Sequence, residues 1–262
     1  NIFYHVNVGI GMASYSKEAT YNYANRIYNN TFHDNWCVAI AIGKPRAKMT
    51  DNEYRNNILW NNQGLNASHC KGNNAKQILL RDSHQSGGRF IRNNIASSVG
   101  DEVLGSWGTA IGQSLTSYSQ GFGAAEFNHN LAINPLFVDE SQHDYRLQAN
   151  SPMIDNGAFL TSVISPSGLG NQIQLTDVKY FYDGFNIPGE VGDTVQIAGR
   201  NDTATIVRID HAKQAIILRH ASHAKPTRCH RDQHIRHRHI GGNHWNSVCA
   251  MHDLTDAGQL RA

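Results

Sequence analysis

Tyr54-Arg55-Asn56-Asn57-Ile58-Leu59-Trp60 is one instance of an Asn-led phrase that recurs through the first half of the chain. It returns as Asn1-Ile-Phe-Tyr, Asn30-Thr-Phe-His, Asn57-Ile-Leu-Trp, Asn94-Ile-Ala-Ser and Asn130-Leu-Ala-Ile, at intervals of 29, 27, 37 and 36 residues. An apolar or aromatic residue (Ile27, Tyr54, Ile91, Phe127) precedes each of the last four by three places. A period of this size marks a stack of repeats, because one unit cannot bury its apolar face alone. Within the phrase, apolar and polar residues alternate with the period of a strand, which places Tyr54 and Ile58 inside. Asn tolerates left-handed backbone and bonds neighbouring amides, so it suits the corners, where stacked side chains can form a ladder.

A second strand per coil is expected at Val8–Met12, Val38–Ile42, residues 78–82 and residues 109–113. Residues 63–76 and 97–125, rich in Gly, Asn and Ser, read as loops. The expected fold is all-β: a right-handed parallel β-helix over residues 1–160, followed by a small antiparallel β appendage over 161–220. In the appendage, residues 173–175, 193–197, 205–209 and 215–218 read as short strands. Residues 221–262 are expected to be an irregular tail rich in His and Arg. Its cysteines, Cys229 and Cys249, match no standard zinc spacing.

Asn134-Pro-Leu-Phe-Val-Asp139, then Tyr145-Arg-Leu-Gln148, then Ser151-Pro-Met-Ile-Asp155-Asn-Gly157 resembles the closing segment of secreted right-handed parallel β-helix repeat proteins, the pectate-lyase-like superfamily. Asn134, Met153 and Asn156 depart from that family's usual Asp, Ala and Ala. The resemblance implies secretion or display at the cell surface. It also implies action on carbohydrate, on a fold that serves lyases, glycoside hydrolases and adhesins alike.

The formal net charge of +2 over 262 residues argues against nucleic acid as a partner, and no apolar run reaches membrane-spanning length. A monomer is expected. The chain opens in mid-repeat, without Met or a signal peptide, and reads as a segment lacking N-terminal coils. Of the four cysteines, Cys37 sits in an apolar strand and reads as a small buried hydrophobe.

Counting back from each corner Asn gives two columns on one wall: Arg26, Glu53, Phe90, Glu126 and Tyr28, Arg55, Arg92, Asn128. Arg55 and Arg92 are candidates there for gripping an anionic chain, against the simpler reading of a solvated wall of ion pairs. On the other wall, Lys44 and Arg46 follow one strand, Arg81 and His84 follow the next, and Lys71 precedes it. A lyase acting on uronates needs a cation to neutralise the carboxylate and a base to remove the proton at C5. Arg81 or Arg46 fits the first role and Lys71 or His84 that of base or acid, with Lys44, Arg46 and Trp107 as substrate-binding candidates. Asp82, Asp101 and Glu102 are weak candidates for binding Ca²⁺. Asp101 and Glu102 beside Trp107 are also the best carboxylates for a hydrolase. The leading expectation is a polysaccharide lyase. A non-catalytic carbohydrate-binding or surface solenoid and a glycoside hydrolase are the alternatives.

Overall fold

The computed structural model describes residues 1–12, 22–42, 51–62, 76–80, 88–98, 104–106, 115, 127–165, 170–197, 203–220 and 235–238. The chain divides into two compact units, Asn1–Gly157 and Ala158–Ala262. The described residues are essentially all-β, with a turn of 3-10 helix at Glu140–Gln142 and one helical residue, Leu115.

In the first unit, twelve short strands fall into three four-stranded sheets. Sheet A holds β1 (Ile2–Tyr4), β4 (Thr31–His33), β7 (Ile58–Trp60) and β10 (Asn94–Ala96). Sheet B holds β2 (Val8–Met12), β5 (Val38–Ile42), β8 (Lys76–Leu80) and β11 (Leu104–Ser106). Sheet C holds β3 (Arg26–Tyr28), β6 (Glu53–Arg55), β9 (Arg89–Ile91) and β12 (Phe127–Asn128). The chain visits A, B and C in turn, and every strand pairs in parallel with its counterpart in the next repeat. These stacked parallel sheets are consistent with a β-solenoid.

The core runs through the middle of the repeats. Phe32, Leu59 and Ile95 enter it from sheet A, Ile40, Ile42 and Ile78 from sheet B, and Tyr54, Phe90 and Phe127 from sheet C. Tyr54 stacks on Phe90 with ring centroids 4.3 Å apart, and Phe90 on Phe127 at 4.8 Å. Phe3 stacks on Phe32 at 4.8 Å, so two aromatic columns run along the axis of stacking.

Amide ladders hold the corners. At the corner from C to A, Asn30 donates its backbone N–H and its Nδ2 to Oδ1 of Asn57, at 3.1 and 3.0 Å. Asn57 does the same to Asn93, and Asn93 to Asn130. A second ladder joins Asn35, Asn62 and Gln77 at the corner from A to B, and a third joins Asn25 to Asn52 at the corner from B to C. The left-handed position is the residue before each rung of the first ladder: Asn29, Asn56, Arg92 and His129 all have positive φ. At the third corner Gly88 has φ +152°, and a Cβ there would lie 2.6 Å from the carbonyl oxygen of Asn52, so only glycine fits.

The third repeat corrects the sequence register by one residue. Asn94 pairs with Ile58, not with Asn57, and Asn93 is the rung. Phe90 therefore points into the core and Arg89 takes its place in the column Arg26–Glu53–Arg89. Ile91 replaces Arg92 in the column Tyr28–Arg55–Ile91–Asn128. Glu126 and the strand expected at 109–113 lie outside the described residues. The strand expected at 78–82 is observed two residues earlier, as β8.

The family-like segment packs sideways onto sheet A. β13 (Phe137–Asp139) and β14 (Asp144–Leu147) pair antiparallel, joined by the 3-10 turn, and form a strap. Phe137 and Tyr145 contact His33 on the outer face of sheet A and Glu140 bonds Trp60, so His33 and Trp60 are buried although they point away from the core.

The second unit holds a five-stranded antiparallel sheet of order β15 (Gln172–Gln174), β18 (Ala215–His220), β17 (Thr203–Asp210), β16 (Thr194–Ile197), β19 (Ile235–Arg238). Val195, Ile206, Ile209 and Ile216 are among its buried residues. β19 comes from the stretch expected to be irregular: its four residues pair with β16, and the rest of 221–262 lies outside the described residues.

Cys37 departs from its sequence reading. It is half-buried and disulfide-bonded rather than a simple packed thiol, and its partner lies outside the described residues.

Candidate functional site

Sheet C presents the first cluster of charge. Glu53, 2 % exposed, accepts from Nε of Arg55 at 2.6 Å and pairs with Arg89 at 2.7 Å. The Arg26 guanidinium meets both carboxylate oxygens of Asp51 at 3.2 Å, and Arg89 approaches Asp51 at 3.7 Å. Strand pairing sets Arg26, Glu53 and Arg89 side by side on neighbouring strands, so cation, anion and cation alternate along the wall. Arg55 is thus bound to Glu53. Arg92 sits at the corner, where its guanidinium donates to Oδ1 of Asn156 at 3.3 Å. The two candidate gripping residues do not share a column. Arg89, which the slipped register hid, is the half-exposed cation of this wall.

The candidate residues of the other wall flank sheet B in the sequence. Ile42 pairs with Leu80, and Leu80 with Ser106. The connections that follow these three residues therefore leave neighbouring repeats at one corner. They carry Lys44 and Arg46, then Arg81, Asp82 and His84, then Trp107, all of which lie outside the described residues. Lys71, Asp101 and Glu102 also lie outside them, on the connections that lead from sheet A into β8 and β11. Among the described residues, no group of three or more His, Cys, Asp or Glu is placed to hold a metal ion. No described helix is long and apolar enough to cross a membrane.

The second cluster sits between sheet A and the strap. Nε2 of His33 lies 2.7 Å from Glu140, 107 residues away in the chain, and Trp60 Nε1 donates to both oxygens of the same carboxylate at 3.3 Å. His33 is buried and its Nδ1 has no partner. Outside this pair, Nε2 of His5 lies 3.0 Å from Asp34, the Tyr4 ring stacks on His143 at 4.6 Å, and His143 Nδ1 is 3.1 Å from the Tyr145 hydroxyl. Burial pushes the Tyr145 phenol up to about 12, and Tyr4, Asp34 and Glu140 add to the shift. Asp139 accepts from the backbone N–H groups of Ser141 and Gln142 and from the Ser141 hydroxyl, which fixes the turn that carries Glu140.

This cluster went unread in the sequence, although the phrase carried a signal. Its fourth residue is Tyr4, His33 and Trp60 in three successive repeats, a column of polar aromatics on the outer face. Glu140 and His143 could not be assigned to it, because their approach depends on where the strap docks.

Comparison with protein-family models, with curated proteins and with solved structures yields no match.

Proposed function

We propose that the stacked repeats of the first unit are coils of a right-handed parallel β-helix, and that the protein is a secreted, carbohydrate-active enzyme cleaving an acidic, uronate-containing polysaccharide by β-elimination. The observation that carries this is the register of sheet B, in which Ile42, Leu80 and Ser106 end their strands side by side. Those strand ends belong to adjacent repeats and stand roughly the 4.8 Å spacing of neighbouring strands apart. Lys44, Arg46, Arg81, His84 and Trp107 follow those ends in the sequence and are the residues proposed to act.

In the proposed reaction Arg81 or Arg46 neutralises the uronate carboxylate, which acidifies the proton at C5. His84 or Lys71 removes that proton, and the electron pair forms the new double bond as the glycosidic oxygen leaves from C4. Lys44 and Trp107 hold the chain by charge and by stacking. The disulfide at Cys37 supports an oxidising, exported setting.

One observation favours a second reading, a glycan-binding solenoid without catalysis: on sheet C, Glu53 is buried between two guanidiniums that serve the fold. Ultraviolet absorbance of the unsaturated product, followed on pectate, alginate and chondroitin, separates the two. Product on one of these polymers supports the lyase. Binding to a polymer with no product supports the solenoid.

A further inference from the structure

We infer that residues 137–147 form an acid-releasable strap, which detaches from the outer face of sheet A while the stacked repeats beneath stay folded. The two parts are held by different chemistry. Corners of the repeats are tied by neutral amides, Asn30 to Asn57 to Asn93 to Asn130, and Asn35 to Asn62 to Gln77. The core between them is aliphatic and aromatic. None of these groups changes charge between neutral and acid solution.

The strap is held by the packing of Phe137 and Tyr145 against His33 and, beside it, by a group that does, the Glu140 carboxylate. On the strap, Glu140, His143 and Tyr145 meet sheet A, while Asp139, Asp144 and Arg146 bond within the strap itself; from sheet A and its corner, Tyr4, His5, His33, Asp34 and Trp60 face it. Glu140 is the keystone, because one carboxylate accepts from both His33 and Trp60. A proton on Glu140 weakens both bonds. Acid also places a second N–H on His33, at an Nδ1 that is buried without a partner.

The hydrogen bond from the Ser141 hydroxyl holds the Asp139 carboxyl below its ordinary 3.8, and the bond from Arg146 does the same for Asp144. A carboxylate with a lowered folded-state value contributes stability above its unfolded value and loses it as pH falls through the folded one. Both contributions, which hold the strap's own turn, are therefore lost as pH falls below 3.8.

Hydrogen exchange read by mass spectrometry on the whole chain tests this, as protection factors at pH about 6 and about 3. At the lower pH, peptides covering 137–147 should lose about tenfold protection or more, while those covering Val38–Ile42 keep theirs. In Glu140→Gln, whose amide oxygen still accepts from Trp60 without titrating, the loss should shift to lower pH. Equal protection of strap and strands at pH about 3, or loss in both together, would overturn the inference.

Discussion

Asn57 donates both its backbone N–H and its side-chain amide to Oδ1 of Asn93, at 3.0 and 2.9 Å, and Nδ2 of Asn57 reaches back to the carbonyl of Ile27 at 2.9 Å. One buried side chain thus ties three successive repeats. Replacing it strands donors and acceptors on both sides, each costing about 1–3 kcal/mol. Asn57→Ala should lower stability by about 3 kcal/mol in chemical denaturation. Asn94→Ala should cost less, because Asn94 bonds only outward, to the backbone of Ile133. If Asn94 proved the costlier position, the observed register would be wrong.

Phe90 lies between Tyr54 and Phe127 in the sheet C column of rings. Phe90→Ala removes the middle of that stack and opens a cavity, at a cost of about 3–5 kcal/mol. Phe90→Leu should recover about half of that. Thermal melts of the two variants read the difference. A Phe90→Ala protein that melts with the parent would contradict the inward placement.

Two-residue alternation and the repeat interval made the strands legible before any coordinates, and β2 and β5 match the expected spans residue for residue. The slip in the third repeat has a local cause. Asn29-Asn30, Asn56-Asn57 and Asn93-Asn94 are all doublets, so text alone aligns Asn94-Ile95 with Asn57-Ile58 equally well. Hydrogen bonding decides otherwise, because the first Asn of the earlier doublets takes the left-handed corner, and Arg92 fills that place in the third repeat. The strap site was less legible. His33 and Glu140 are 107 residues apart, and nothing in a repeat tells which outer face a later segment will cover.

Glu53 is buried between Arg55 and Arg89. Glu53→Ala leaves two guanidiniums without their shared anion and should cost about 3 kcal/mol, less than a fully buried pair because Arg89 is half-exposed. The double variant Glu53→Ala with Arg89→Ala should lose less than the sum of the single changes, which a double-mutant cycle measures.

The disulfide at Cys37 anchors the segment entering β5. Reduction under native conditions should lower stability by about 2–4 kcal/mol. A melting temperature unmoved by reductant would remove both this contribution and the support it lends to an exported protein.

The most direct measurement is ultraviolet absorbance of the unsaturated uronate released from pectate, alginate or chondroitin, compared between the parent chain and the variants Arg81→Ala and His84→Ala. Loss of a catalytic acid–base group typically costs about 10²–10⁴-fold in rate, so steady product formation by the parent and a drop of that size in both variants is predicted. Absence of product from every uronate polymer, or full activity in both variants, would contradict the lyase site at the sheet B corner.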